Sequence, residues 1–415
     1  YGGTAVGKPT TITFPLEAYH GIKRVFVVLR KGNENLRIEL PYSHSQNGVD
    51  FFVGSFTLGT YGIWHYRFEG ELDNGALAFF GRDYDGTAIR GDWLPEWQLT
   101  VSKVERKTPV WAKQGVIYQI FPDRFYNSGK KKTRVPKDRY IVDDWNKQPE
   151  FRQDEKFKAL GNDYYGGDLK GIEQKLPYLK SLGVNCIYLN PIFEAHSNHR
   201  YNTADYMKVD PSLGTKGDLE NLIKSAKKQG IYIILDGVFS HTGDDSIYFN
   251  RYGRYAAPGA WDNADSPYRE WYKFDDSEIG YSAWWGVPTL PEVDEDNPDF
   301  TKFITGENGV IRYWLKKGIK GFRLDVADEL PDEILDKIRS AIKKKDSDAY
   351  LLGEVWEDAV IKESYGSRRN YALGYSLDSV MNYPYRTAIL NFIRGWDSGT
   401  GLKDTVMSIV ENYPP

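Results

Sequence analysis

From about residue 108 onward, the chain alternates short, almost uniformly apolar runs with longer stretches whose apolar residues recur every three or four positions. The runs VIYQIF, NCIYLN, IYIILDGV, GFRLDV, YLLGEVW and LDSVMNY are bounded by Gly or polar residues. That pattern suits strands buried on both faces of a parallel sheet. Between them, DLKGIEQKLPYLKSLG, KGDLENLIKSAKKQG, FITGENGVIRYWLKKG and PDEILDKIRSAIKKK are amphipathic at the helical period, and a last helix is read in LKDTVMSIVENYPP. Strand then helix, repeated, predicts an α/β fold of the (β/α)8 TIM barrel type, whose chemistry sits at the C-terminal ends of the strands. Six strands are legible and eight close such a barrel, so the expectation is an incomplete, C-terminally truncated barrel.

The first hundred residues follow another rule. TTITFPL, RVFVVLRK, LRIELPY, DFFVGSFTL, GIWHYRFEGEL, ALAFFGR and WQLTVSKV are short, roughly alternating runs separated by Gly, Asn, Asp or Pro. They predict a β-sandwich of immunoglobulin-like type over 1–107, with a boundary in VERKTPVWAKQ. Such a module either binds glycan or buttresses the barrel. The barrel is then assigned to 108–415, with a long loop insertion at about 239–298.

Composition narrows the classes. A chain of 415 residues with 40% hydrophobic content can bury a large core in more than one domain. No apolar run reaches membrane-spanning length. A net charge of −4, with Lys and Arg scattered over helix faces, offers no basic patch for nucleic acid. The single Cys186 excludes an internal disulfide and leaves the compartment open. Aromatic residues are abundant at 15%. Most serve cores, but Trp284 and Trp285 lie in a loop rich in Gly and Pro, where they either anchor the loop or line a site suited to the C–H faces of sugars.

Candidate chemistry gathers at the ends of three runs: Asp236 and His241 in IYIILDGVFSH, Arg323 and Asp325 in GFRLDVADE, and Glu354 in YLLGEVW. A lone Asp at a strand end ordinarily caps a helix or bonds a loop. Several acids, an Arg and a His in the same barrel position point instead to a two-carboxylate sugar site. Arg323 and Asp325 share a strand face, so the guanidinium is expected to hold Asp325 ionised as a nucleophile. Glu354, partly desolvated beside it, is expected to start protonated as general acid. Asp236 is read as a supporting group that bonds either Arg323 or a neighbouring loop.

The set DGVFSH, GFRLDVADE and GEVW, preceded by GGDLKGI and CIYLNPIFEAHSNHRYNTADY and followed by LDSVMNYP, resembles the α-amylase family, glycoside hydrolase family 13. The β-sandwich, HSNHRYNTADY and MNYP are most similar to its neopullulanase, cyclomaltodextrinase and amylopullulanase branch. The resemblance implies that Asp325 is the nucleophile and Glu354 the general acid and base. It implies that Tyr201, His241 and Arg323 surround the sugar, and that Glu329 and Trp356 face the leaving-group side. The implied reaction is retaining hydrolysis of α-1,4-glucosidic bonds in starch, pullulan or malto-oligosaccharides, with α-1,6 bonds left open. The alternatives are a 4-α-glucanotransferase or cyclomaltodextrinase, and a non-catalytic starch-binding protein. A His-Asp segment that the family places beyond the sixth strand is not found before Pro415, so this chain alone is expected to be weakly active or inactive. No cofactor is required and no metal site is assigned: Ser240 stands where relatives carry Asn, and Asn127 is followed by SGKKKTR rather than acids. Ca2+ elsewhere is left open. The implied partner is an α-glucan, with a homodimer left open, and the expected location is extracellular or cell-surface, with the cytoplasm as the alternative.

Overall fold

The computed structural model describes residues 3–17, 21–103, 107–132, 135–149, 161–374 and 376–414. It divides into two compact units, one of Tyr1–Lys107, Trp356–Ser376 and Asn382–Pro415, the other of Thr108–Val355 and Leu377–Met381.

In the first unit, β1 (Thr4–Ala5), β10 (Trp97–Ser102), β7 (Gly62–Leu72), β3 (Ile22–Lys31) and β4 (Glu34–Leu40) form a sheet extended by β8 (Leu77–Arg82) and β9 (Ala88–Arg90). A second sheet has the order β2 (Thr10–Glu17), β6 (Val49–Phe56), β5 (Tyr42–Gln46). Alternation sends Val25, Val27, Leu29, Trp64, Phe68 and Phe80 inward to meet Phe14, Phe52 and Phe56 of the facing sheet. Two strands carry no clear apolar alternation and were not legible: β5, exposed along its length, and the three-residue β9.

Residues 356–376 and 382–415 belong to the first unit. The reason is side-chain bonding: Arg82 pairs with Glu411 at 3.1 Å, and Thr100 donates to the Asn412 carbonyl at 2.5 Å. The helix Tyr383–Ile393, packed on Gly399–Asn412, was also missed in the sequence.

The second unit holds six successive parallel strands: β11 (Ile117–Ile120), β12 (Cys186–Leu189), β13 (Tyr232–Gly237), β14 (Gly321–Leu324), β15 (Tyr350–Gly353) and β16 (Ser379–Val380). They pair in chain order as the first six strands of a (β/α)8 barrel. Every residue of Cys186–Leu189, Gly321–Leu324 and Tyr350–Gly353 is buried, as the unbroken apolar runs required. The helix Lys216–Lys228 is fixed by a capping box between Thr215 and Asp218, and buries Leu219, Leu222, Ile223 and Ala226. FITGENGVIRYWLKKG, read as one amphipathic stretch, is broken: Pro298–Thr305 ends at Gly306 and a new helix runs Val310–Lys316.

A hairpin of Phe193–Ala195 and Thr203–Val209 follows β12. The long segment from Val238 to Asn297 follows β13 and contains isolated bridges and two short 3-10 turns, Arg269–Trp271 and Trp284–Gly286.

Candidate active site

Strand register assembles the site. Asp236 lies opposite Arg323 across β13 and β14, while Leu324 lies opposite Gly353 across β14 and β15. Asp325 and Glu354 are therefore the first residues past two adjacent strand tips. Backbone bonds continue the pairing beyond the strands: Asp325 N–H donates to the Gly237 carbonyl at 3.1 Å and Glu354 N–H to the Leu324 carbonyl at 3.0 Å.

One guanidinium joins all three acids. Arg323 Nη1 is 2.7 Å from both Asp236 Oδ1 and Asp325 Oδ1, and its Nη2 is 2.7 Å from Glu354 Oε2. The four side chains are buried. Burial pulls the Arg323 pKa down, but the neighbouring carboxylates, Asp236 first, outweigh it and the pKa rises. Tyr188, on β12, donates to Asp236 Oδ2 at 2.5 Å, and Tyr201 donates to the same oxygen at 3.1 Å. Asn190 Nδ2 in turn donates to the Tyr201 hydroxyl at 3.1 Å.

Burial, then the neighbouring charge of Asp236, raises the Asp325 pKa well above the usual carboxylate range, against the pull of Arg323. Glu354 Oε2 accepts from the Val326 backbone N–H at 2.9 Å as well as meeting Arg323. Burial raises Asp236 as well. Burial thus favours proton retention on Asp236 and Asp325, which share the Arg323 guanidinium.

Val326 links the two strand tips and was not legible in the sequence as a site residue. Its φ of +38° is left-handed, an unusual conformation for a β-branched residue. That conformation aims its N–H at Glu354. Tyr201 is delivered in a comparable way. Arg200 before it has φ +64°, is fully buried, and sends Nε to 3.4 Å from Asp210, which also pairs with Arg139 at 2.7 Å.

His241 lies just past β13, with Nδ1 3.0 Å from the Ser240 hydroxyl and its ring 5.4 Å from that of Trp284. Burial lowers its pKa to about 4, so the imidazole is neutral near pH 7. Its Nε2 is buried and has no hydrogen-bond partner among the described residues, leaving one ring nitrogen for an added hydroxyl. Glu329 accepts from both indoles of the loop, from Trp284 Nε1 and from Trp285 Nε1 at 2.6 Å. Trp285 stacks on Trp284 at 5.6 Å and is 71% exposed, so the pair is both anchored through Glu329 and open on one face. Trp356 is exposed and falls in the first unit.

A metal at the loop after Asn127 does not fit the residues present. The Lys132 ammonium donates to the Gly166 carbonyl at 2.5 Å and lies 3.5 Å from Asp168, filling that oxygen-lined position with a side-chain cation. No group of three or more His, Cys, Asp or Glu among the described residues is placed to hold a metal ion.

A half-barrel with buried acids and one arginine at its strand tips defines the class of barrel enzymes that act on glycosidic bonds. Residues 119–397 match the family model of the alpha amylase catalytic domain. The chain belongs to the α-amylase family. It is 35% identical to an amylopullulanase from Thermoanaerobacterium saccharolyticum, over 100% of this chain and 35% of that protein. It is also 35% identical to neopullulanase 2 from Thermoactinomyces vulgaris, over 69% of this chain and 44% of that protein. Among solved structures, the ligand-free cyclic alpha-maltosyl-(1→6)-maltose hydrolase from Arthrobacter globiformis superposes with a TM-score of 0.62 at 30% identity, covering 73% of this chain and 63% of that one. The type III pullulan hydrolase from Thermococcus kodakarensis has a TM-score of 0.66 over 99% of this chain and 68% of that one; at 24% identity it supports the fold. The chain spans between about a quarter and about a third of the length of the amylopullulanases it matches.

Proposed function

We propose that the site cleaves α-glucosidic bonds with retention, with Asp325 as nucleophile and Glu354 as general acid and base. The observation that carries this reading is the shared guanidinium: two carboxylates from adjacent strand tips are held on one Arg323, a span suited to the ~5–5.5 Å separation used by retaining enzymes. Positive charge developing at the sugar in the transition state favours ionised Asp325, offsetting the burial that raises its pKa. The proton is then carried by Glu354 toward the leaving oxygen. In this reading neutral His241, whose buried Nε2 has no hydrogen-bond partner among the described residues, bonds the sugar, and Tyr201, hydrogen-bonded to Asp236, stacks on it.

The substrate class follows the relatives, whose names span amylopullulanase, neopullulanase and cyclomaltodextrinase. For this chain it is an α-glucan such as pullulan, starch or a malto-oligosaccharide. The test is covalent trapping with an activated fluorinated α-maltosyl donor, read by intact mass and peptide mapping. A single glycosyl adduct on the peptide carrying Asp325, absent in Asp325→Asn and slowed in Glu354→Gln, is expected. Glucan binding without any adduct would favour a non-catalytic binding protein instead.

A further inference from the structure

A cavity of about 900 Å³ opens on the barrel unit, and none of Asp236, Arg323, Asp325 and Glu354 lines it. The hairpin strand Thr203–Val209 and the turn after it supply an apolar floor of Met207, Val209, Pro211 and Leu213. Tyr313, on the helix Val310–Lys316, is part of the same wall. Its charge is one-sided. Lys130, Lys131, Lys132, Lys170, Lys208 and Lys216 line it together with three carboxylates and, among the described residues, no arginine.

Four of the six lysines are answered within the fold. Lys130 meets Asp218 at 2.6 Å, Lys132 lies 3.5 Å from Asp168, Lys170 meets Glu173 at 2.7 Å and Lys208 meets Asp205 at 2.8 Å. For Lys131 and Lys216 no acid lies in ion-pair range among the described residues. The Lys130–Asp218 bond carries the lysine run to the first turn of the helix Lys216–Lys228, which brings these two charges to one place. Lys216 opens that helix, where a cation opposes the helix dipole. Asp218, the acid of the turn, is already engaged by the capping box and by Lys130. Beside Lys216 stands a second ammonium, Lys317, which is bonded to Glu220 at 3.1 Å and lowers the Lys216 pKa. The two ammoniums lie 5.8 and 5.7 Å from the centre of the Tyr313 ring. Like charges gathered on one wall repel, and an anion between them removes that repulsion.

We infer that this cavity binds a sugar phosphomonoester, with Lys131 and Lys216 holding the phosphate and the apolar floor taking the C–H face of the sugar. The volume is that of a small-molecule pocket and exceeds what a bare phosphate fills. Lysines act as point charges suited to phosphate, whereas planar carboxylates select arginine forks, and the lining described has none. A nucleic acid needs an extended basic face, which a chain of net charge −4 with this single lysine-lined hollow does not offer. The site goes beyond the glycosidic chemistry proposed above and does not rest on it. The ester has two possible sources, a free sugar phosphate and a phosphorylated unit of an α-glucan, and the experiment separates them.

The whole chain is titrated calorimetrically with glucose 6-phosphate and with inorganic phosphate. Glucose 6-phosphate should bind, inorganic phosphate should bind about 10-fold more weakly for want of the sugar face, and excess glucose should not displace the ester. The double variant Lys131→Met, Lys216→Met should lose about 10-fold or more in affinity, with a melting temperature no lower than wild type because the charges removed repel their neighbours. Lys224→Met, the same loss of charge at an exposed position of that helix, should bind as wild type does. Native gels with phosphorylated amylopectin, before and after phosphatase treatment, identify the source. Retardation that needs both the ester and the two lysines assigns the site to the polymer, and calorimetric binding without it assigns the site to the free sugar phosphate. No binding of glucose 6-phosphate at millimolar concentration, displacement by glucose, inorganic phosphate binding as tightly as the ester, affinity of the double variant within about two-fold of wild type, or an equal loss in Lys224→Met would each overturn the inference.

Discussion

Arg323 faces Asp236 directly across two parallel strands, and Nη1 reaches Asp236 Oδ1 at 2.7 Å with both side chains buried. Because the same guanidinium serves Asp325 and Glu354, its removal leaves three acids without their cation. Arg323→Met should cost about 3–5 kcal/mol near neutral pH, as expected when one partner of a buried ion pair is lost. Asp236→Asn keeps an oxygen that can accept from Arg323 and removes one buried negative charge, so it should cost much less. Urea unfolding at pH 7 compares the two, and equal losses would show that the guanidinium is not what holds the acids.

Asp325 has a native pKa raised above its ordinary value, chiefly by burial and then by Asp236. A raised acid binds a proton in the native state that the unfolded chain has released. Its contribution is therefore present below the unfolded pKa and is lost as pH rises through the folded one. Asp325→Asn removes that loss. The variant should melt a few degrees above wild type at pH 7.5, with the gap closing toward pH 4, while adduct formation is abolished. A variant less stable than wild type at pH 7.5 would contradict the burial argument.

His241 runs in the opposite direction. Its pKa of about 4 lies below the usual value of 6.5, so the unfolded chain gains a proton between those pH values that the native state does not. Stability from this residue is full above about pH 6.5 and declines as pH falls toward 4. One proton corresponds to about 1.4 kcal/mol per pH unit. His241→Gln should flatten the stability profile by up to that slope between pH 6 and 4.5. A slope unchanged in the variant would place the titration on other histidines.

The barrel strands were legible because parallel strands buried on both faces write continuous apolar runs, and Asp325 and Glu354 were legible because they follow such runs directly. Asp236 looked ambiguous in the sequence, and strand register resolved it as the partner of Arg323. Tyr188 was hidden inside an apolar strand, where nothing distinguishes a hydroxyl bonded to Asp236 from ordinary core. Val326 was hidden because a left-handed backbone leaves no mark in the sequence on a valine between Asp325 and Ala327. The fold placed a third acid on the same guanidinium and buried the whole set.

Glu329 holds two indole donors at once, one on each carboxylate oxygen, and so sets the plane of the Trp284–Trp285 pair. Glutamine is nearly the same size but offers a single acceptor oxygen, and its amide NH2 would face the other indole N–H. Glu329→Gln should therefore release one of the two rings. If the exposed face of Trp285 supports the sugar on the leaving-group side, the half-saturating concentration of the maltosyl donor in adduct formation should rise about 5- to 10-fold, or about 1–1.4 kcal/mol. The limiting rate at saturation should change less, because neither Asp325 nor Glu354 depends on these indoles for its bonds. Trp285→Ala should give a loss of the same kind, and combining it with Glu329→Gln should add little. Fully additive losses in the double variant would separate Glu329 from the tryptophans and assign it a contact of its own.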